Sequence, residues 1–374
     1  MKGNYTKYFP YFLVAYHLCF AWIAYDYVNK NNGDAVKYWF VGKNPAFLNW
    51  ADYLQPGTET IQLITFPFVK YLHLPGWAGC LIFSLFSSYA FLRLWKLLKE
   101  IANDNHKIVI LSMLLLLVPN VHFWTSLIGK EAILFLPVVL IGEQFYKKKY
   151  FSFTLLLSFF VLAWIRPHVG FVFLLSFLIA LIAKGEISKK TKITVTAISV
   201  GMGAGLYFLL SKITHANQGL LTKIERLYHI HNTQLKTTSA YVPLDEYSYP
   251  YKLFTFYFRP LPFEKKSFHY NLVGIENLLV LVIFLGTVYF VIRNFKSLNI
   301  TSFHLFGFGV LLFYGTMFAY GYANFGMIIR ANSLMTPILI LLVASLLQKP
   351  TQKNTPPHPS LRREGVRFSI IKKS

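Results

Sequence analysis

Four positively charged side chains stand at the edges of apolar segments, where they could bind an anion. Lys130 and Arg166 lie in TSLIGKEA and WIRPHVGF, and Arg259 and Arg330 lie in FRPLPFE and NFGMIIR. A guanidinium binds phosphate through two parallel hydrogen bonds, and an arginine inside a membrane segment usually faces a polar cavity. Lys130 comes at the start of a predicted helix, where backbone amides favour an anion. The four residues predict a site for a lipid diphosphate, whose charge grows as the leaving group departs.

Four other residues could move a proton at such a site. His168 lies two positions after Arg166, and an imidazole titrates close to neutral pH. Glu131, Glu264 and Asp34 are the candidate carboxylates. Simpler explanations exist: a structural histidine, stabilisation of Glu131 by the helix dipole, and ordinary solvation of Asp34. All four are kept as acid–base candidates, and no metal or other cofactor is predicted because no residues have metal-ligand spacing.

The segment FTFYFRPLPFE, residues 254–264, combines aromatic side chains with two prolines. The prolines exclude an α-helix there and favour extended geometry in the residues before them. At about 3.1 Å per residue, Arg259 and Glu264 would lie roughly 15 Å apart unless a turn intervenes, which makes them poor candidates for a simple ion pair. The aromatic residues predicted to face a glycan or lipid are Tyr249, Tyr251, Phe256, Tyr257 and Trp124. Stacking on sugar rings and a belt at the membrane interface are both open explanations.

The position of these residues depends on a membrane, which the composition indicates. Of the 374 residues, 55% are hydrophobic and 14% are charged, whereas soluble proteins carry about 25% charged residues. The apolar residues also occur in long blocks. The sequence therefore predicts an all-α, polytopic transmembrane bundle and no nucleic-acid partner, despite a net charge of +22. Cys19 and Cys80 fall inside apolar blocks, which favours packing over a disulfide.

A membrane span needs roughly 20 apolar residues, and about ten segments approach that length. They are residues 8–27, 77–95, 108–124, 131–146, 150–165, 168–183, 193–211, 276–293, 302–320 and 328–347. Residues 60–72 are too few to span and predict an interfacial or re-entrant helix. The membrane domain is predicted to cover residues 1–348, with one large outer loop at 213–275. The basic, proline-rich segment 349–374 lacks periodicity and predicts a disordered cytoplasmic tail.

Lysine and arginine are concentrated in alternate loops, which predicts the orientation of the bundle. The KKK at 147–149 and the KK at 189–190 are the clearest signals, and both termini belong to the same set of loops. Both termini are therefore predicted to face the cytoplasm. Residues 28–58, 125–131, 166–168, 213–275 and 321–330 then emerge together on the outer face, and they contain every candidate cation and acid–base residue.

The chain resembles bacterial O-antigen (oligosaccharide repeat-unit) polymerases and their uncharacterised relatives, in short motifs between about residues 34 and 345. These motifs are HFWTSLIGKEA, WIRPHVGF, FRPLPFE, IEN at 275–277 and NFGMIIR. The resemblance implies a glycosyltransferase of the bacterial inner membrane. It would move a glycan from one undecaprenyl diphosphate carrier to the sugar end of another on the periplasmic side. Arg166, Arg259 and Arg330 correspond to carrier-binding arginines, and a chain-length regulator or a flippase would be a partner.

In this interpretation, His168 or Glu264 deprotonates the attacking hydroxyl. Two other functions remain open. One is a transferase that uses a lipid monophosphate sugar, with Asp34 as the base and a divalent metal required. The other is a lipid-glycan translocase or assembly scaffold without chemistry, which would need polar residues along its spans; few occur there apart from Arg330.

Overall fold

The computed structural model describes residues 5–31, 33–39, 49–184, 188–194, 196–197, 201 and 233–348. Within these ranges the chain is helical and has no β-strand, although an isolated bridge joins Tyr241 to Asn324. The all-α prediction is therefore confirmed for the described chain. Three predicted segments lie outside the described residues: the tail 349–374, most of the span 193–211 and the first part of the 213–275 loop.

The helices are named in chain order. The first group is α1 (Tyr5–Lys30), α2 (Asp34–Trp39), α3 (Thr58–Lys70), α4 (Gly76–Ala102), α5 (His106–Leu116), α6 (Pro119–Ser126), α7 (Lys130–Tyr146), α8 (Phe153–Ile165) and α9 (Pro167–Lys184). The second group is α10 (Tyr249–Phe258), α11 (Phe268–Arg293), α12 (Ser302–Gly321) and α13 (Phe325–Leu347). Short 3₁₀ helices cover Trp50–Tyr53, Leu244–Glu246 and Phe295–Ser297.

Six of the described helices are long and apolar enough to cross a membrane: α1, α4, α9, α11, α12 and α13. A seventh span results if α5 and α6, which meet at a bend of 48°, are counted together. α8 has 13 residues, so it measures only about 20 Å against a hydrocarbon core of about 30 Å. These helices indicate a membrane protein, but the predicted number of ten spans is not confirmed.

The break between α5 and α6 leaves backbone carbonyls inside the bundle, and side chains contact them. The Tyr16 hydroxyl donates to the carbonyl of Leu117 at 3.0 Å, and His122 Nε2 lies 2.7 Å from the carbonyl oxygen of Leu116. The ring of His17 supports His122, with 2.9 Å between their Nδ1 atoms. Because an unsatisfied backbone group in lipid costs several kcal/mol, these contacts stabilise the bend.

The turn between α8 and α9 places Arg166. Pro167 opens α9, as the sequence predicted, and the residue before a proline avoids helical geometry. Arg166 accordingly ends α8 with φ −138° and ψ 82°, and its carbonyl accepts hydrogen bonds from Val169 and Gly170. Gly170 packs so closely on α8 that an added Cβ would lie 2.7 Å from the Cα of Ala163. The position of Arg166 therefore depends on a close helix–helix contact.

We expect Gly170→Ala to destabilise the protein by about 1–3 kcal/mol, the usual cost of overpacking. The measurement is the midpoint of thermal unfolding in detergent. Gly286→Ala in α11 is the matched control, because a Cβ there meets nothing within 4 Å, and it should keep the midpoint or raise it. Equal midpoints for the two variants would contradict the close packing of α8 on α9.

Candidate functional site

A buried carboxylate joins two of the predicted arginines at one end of the bundle. Glu131 lies in the first turn of α7 with 3% of its side chain exposed, and its Oε1 accepts a hydrogen bond from Arg166 Nη2. Arg330, in the second turn of α13, donates from Nη2 to Glu131 Oε2 at 3.0 Å. Both oxygens of Glu131 are thus engaged by cations. This carboxylate links α7, the α8–α9 turn and α13.

Asp34 extends the arrangement to the surface. It is the first residue of α2, its Oδ2 accepts a hydrogen bond from Arg330 Nη1 at 2.9 Å, and 48% of its side chain is exposed. The Arg330 guanidinium therefore lies between a buried and an exposed carboxylate. The ring of Trp124 lies beside it, with 5.6 Å between the ring centroid and Cζ. These contacts fix the orientation of the planar guanidinium.

Lys130 and His168 lie around the same residues. Lys130 opens α7 and interacts electrostatically with Arg166, Arg330 and, on α3, Glu59. His168 is exposed and interacts electrostatically with Arg166 and Lys130. We call the assembly of Asp34, Trp124, Lys130, Glu131, Arg166, His168 and Arg330 the Glu131 cluster. It brings together most of the predicted cations and acid–base residues.

Three buried donors of the Glu131 cluster have no hydrogen-bond acceptor among the described residues. They are Arg166 Nη1, Arg330 Nε and Trp124 Nε1. Arg330 Nε lies 2.9 Å from Glu131 Oε1 but is not aligned for a hydrogen bond. Buried donors without a partner are costly, and native structures rarely leave them so. A ligand with several acceptor oxygens, such as a phosphate group, would satisfy them.

Arg259 lies in a different site. Its Nε donates to both oxygens of Glu264, at 2.9 and 3.0 Å, and its Cζ lies 5.3–5.6 Å from the ring centroids of Tyr247, Tyr251 and Phe325. Burial alone would lower the pKa of the guanidinium, but its hydrogen bonds to Glu264 and Tyr247 raise that pKa above the ordinary value. The predicted convergence of the cations therefore includes Arg166, Arg330 and Lys130 but not Arg259.

The predicted separation of roughly 15 Å between Arg259 and Glu264 is wrong, since the two residues form an ion pair. The chain reverses between them: Phe263 adopts a φ of +67°, and the amide of Glu264 donates to the carbonyl of Leu261 at 3.2 Å. The extended geometry predicted before the prolines is also wrong for most of the segment. α10 continues to Phe258, and Arg259, directly before Pro260, is extended.

The predicted aromatic platform is exposed only in part. Tyr249 and Tyr251 are each 40% exposed. Phe256 is 1% exposed, so its predicted contact with glycan or lipid is wrong; α10 directs this side chain into the core. Tyr257 is half-buried and its hydroxyl donates to the carbonyl of Leu311. Trp124, also half-buried, belongs to the Glu131 cluster.

Sequence reasoning missed several residues around the cluster. Tyr38, Tyr314 and Tyr322 interact electrostatically with Arg166. In the sequence they are three of 24 tyrosines, and nothing in their spacing distinguishes them from the others. Among the described residues, no group of three or more His, Cys, Asp or Glu side chains is placed to hold a metal ion.

No family model matches this chain, and no curated protein or solved structure matches it.

We expect Glu131→Gln to lower stability by about 3–5 kcal/mol, because an amide leaves two buried guanidiniums without a counter-charge. Thermal unfolding in detergent measures the change. Asp26→Asn is the control: it removes the acceptor of the Lys30 ion pair, whose side chains are 69% and 55% exposed, and such pairs contribute about 0–1 kcal/mol. If both variants unfold at the same temperature, the Glu131 cluster does not hold the bundle together.

Proposed function

We propose that this chain is a membrane glycosyltransferase that takes a sugar from a phosphate-linked polyprenyl donor at the Glu131 cluster. The main support is that Arg166 Nη1 and Trp124 Nε1, two buried donors without a hydrogen-bond acceptor among the described residues, belong to the same cluster as the half-exposed carboxylate of Asp34. The donors can form hydrogen bonds to the oxygens of a phosphate leaving group. The carboxylate of Asp34 can accept the proton of an acceptor hydroxyl. Glu131 holds both guanidiniums in place before the substrate binds.

In the proposed reaction, the acceptor hydroxyl attacks C1 of the donor sugar. A glycosidic C1–O bond forms while the bond from C1 to the phosphate oxygen breaks, and its electron pair leaves with the phosphate. Arg166 and Arg330 donate hydrogen bonds to the phosphate as its charge grows. Asp34 takes the proton of the hydroxyl through Oδ1, since Oδ2 accepts a hydrogen bond from Arg330.

Asp34 fits the role of base better than the other carboxylates. Both oxygens of Glu131 are bound by arginines inside the protein, and both oxygens of Glu264 are bound by Arg259 in the other site. His168 is the remaining candidate, since it is exposed near Arg166. Its ring packs edge to face on Phe318, with 5.9 Å between centroids, and Asp34 is the residue hydrogen-bonded to the phosphate-binding arginine.

The donor is proposed to be a polyprenyl monophosphate sugar. The diphosphate-linked units used by O-antigen polymerases would draw on three arginines, but Arg259 pairs with Glu264. Two guanidiniums suit the smaller charge of a monophosphate. The product lipid distinguishes the two donors, since mass spectrometry identifies it as polyprenyl monophosphate or diphosphate.

The proposal also includes ten spans in the bacterial inner membrane, with both termini in the cytoplasm. In that arrangement α7 and α8 are short, tilted spans. The Glu131 cluster then faces the periplasm, where lipid-linked saccharides are assembled into surface glycans. The cluster lies where the N-terminal ends of α7, α9 and α13 meet the C-terminal end of α8, as alternating spans require.

Reporter fusions test this orientation. Alkaline phosphatase needs the disulfides that form in the periplasm, so a fusion after His168 should be active. A fusion after Lys149, at the opposite end of α8, is the matched control and should be inactive. The reverse pattern would place the Glu131 cluster in the cytoplasm and contradict the proposal.

We expect Asp34→Asn to lower the transfer rate at least 100-fold, since general bases contribute about 10²–10⁴-fold. The amide oxygen can still accept the hydrogen bond from Arg330, so folding should be kept. The measurement is surface glycan length on a gel in cells that lack the native copy, with protein levels checked by blot. His168→Gln is the control and should shorten the glycan little.

Loss of transfer in His168→Gln with normal transfer in Asp34→Asn would make His168 the base and refute the role of Asp34. Normal glycans in both variants and in Arg166→Lys, at normal protein levels, would refute glycosyl transfer at this cluster.

A further inference from the structure

A cavity of about 240 Å³ is lined in part by Arg259. Its walls include Tyr241, Tyr247, Arg259, Glu264, Lys265 and Phe325, and we call it the Arg259 pocket. It is smaller than the roughly 300–1,000 Å³ of pockets that hold drug-sized ligands, a size that suits one sugar ring. Phe325 precedes Arg330 by five residues on α13, so the backbone positions of these two residues lie about 7.5 Å apart along the helix axis.

Two backbone hydrogen bonds fix one wall of the Arg259 pocket. The amide of Val242 donates to the carbonyl of Ala323 at 3.0 Å, and the amide of Phe325 donates to the carbonyl of Ala240 at 2.9 Å. They tie the segment before α10 to the start of α13. The aromatic side chains of Tyr241 and Phe325 are therefore held at fixed positions on either side of this junction.

The opposite wall, the loop between α10 and α11, is fixed by α11. Asn277 Nδ2 donates to the carbonyl of Pro260 at 3.0 Å, and Asn271 Oδ1 accepts from the amide of Phe263 at 2.8 Å. Gly274 allows the approach, since an added Cβ would lie 2.6 Å from the nitrogen of Pro262. The ion pair of Arg259 and Glu264 is thus placed before any ligand binds, which lowers the entropic cost of binding.

The polar groups of the Arg259 pocket fit hydroxyls better than phosphate. Glu264 compensates the charge of Arg259, so the pair as a whole is neutral. The hydrogen bonds of Arg259 to described residues use Nε and Nη1, which leaves Nη2 as a donor. Each Glu264 oxygen has lone pairs left to accept. A sugar hydroxyl both donates and accepts, so neighbouring hydroxyls on one ring match this pair.

The remaining walls fit the other surfaces of a sugar ring. The aromatic side chains of Tyr247 and Phe325 also line the cavity, and aromatic rings provide large contact areas at low entropic cost. Lys265 donates to the carbonyls of Ser239 and Tyr241, at 3.1 and 3.4 Å. A lysine has three donors, so one remains for a ring or hydroxyl oxygen.

We propose that the Arg259 pocket binds one sugar ring of the acceptor saccharide. The inference that a saccharide binds depends only on the residues of the pocket. The role of that saccharide as the acceptor rests on the proposed function. In that role the ring bound beside Arg259 would direct the hydroxyl of the chain end toward Asp34. Arg259 then recognises the acceptor, while Arg166 and Arg330 bind the donor.

Saturation-transfer difference NMR on the full-length protein tests the pocket. The protein is kept in a detergent without a sugar headgroup, and the probes are the methyl glycosides of glucose, galactose, mannose, N-acetylglucosamine and glucuronic acid. At least one glycoside should show transfer. Tyr247→Ala and Arg259→Lys should each weaken its binding at least tenfold, since one removes an apolar wall and the other removes the planar guanidinium.

Tyr249→Ala is the matched control. Tyr249 is exposed and its hydroxyl bonds to Thr316 at 2.7 Å, outside the Arg259 pocket, so its loss should leave glycoside binding unchanged. The proposal would be overturned if no glycoside binds, or if Tyr249→Ala weakens binding as much as Tyr247→Ala. It would also be overturned if pyrophosphate displaces the glycoside from the wild-type protein but not from Arg259→Lys.

Asp34→Asn separates this inference from the proposed function, because Asp34 lies outside the Arg259 pocket. Full transfer in Asp34→Asn with glycoside binding that depends on Tyr247 would refute the proposed base but keep the saccharide pocket. Lost transfer in Asp34→Asn with no glycoside binding would refute the pocket and leave the proposed chemistry in place.

Discussion

The carboxylate of Glu131, buried between two guanidiniums, is the interaction on which one end of this bundle depends. A charge in a medium of low dielectric is stabilised only by partners at hydrogen-bond distance, and here each partner comes from a different part of the chain. Arg166 comes from the α8–α9 turn and Arg330 from α13. Arg330 in turn holds Asp34 at the start of α2. Four separate segments thus share one charge network, and a displacement of any of them exposes a buried charge.

The four predicted cations are divided between two sites with different electrostatics. In the Glu131 cluster, the guanidiniums keep buried donors that no described residue satisfies. In the Arg259 pocket, the guanidinium is stacked among three aromatic rings and paired with its own carboxylate. The first arrangement favours an anion with several oxygens, and the second favours a neutral ligand with hydroxyls and apolar faces. Transfer of a sugar between two substrates needs both kinds of site within one protein.

Local signals in the sequence predicted much of this architecture. Apolar blocks located the long helices, and Pro167 marked the start of α9 and so the position of Arg166. The pairing of Arg259 with Glu264 could not be predicted, because it depends on the positive φ of Phe263. Such a backbone conformation is usually indicated by a glycine, and this position has a phenylalanine. The burial of Phe256 depends on the neighbours of α10. Likewise, the sequence indicates that Glu131 lies in the first turn of a helix. It cannot indicate that two arginines distant in sequence donate hydrogen bonds to this carboxylate.

The bend between α5 and α6 has a consequence for proton positions inside the bundle. His122 Nε2 faces a carbonyl oxygen, which a nitrogen can meet favourably only when it carries the hydrogen. In the neutral ring, His122 Nδ1 must then accept, so the hydrogen between the two imidazoles belongs to His17. His17 Nε2 is left to accept from the hydroxyl of Ser87, 2.7 Å away. In the neutral state the contacts therefore select one tautomer for each ring, and an additional proton on His122 Nδ1 would face the hydrogen of His17 Nδ1 and loosen the bend.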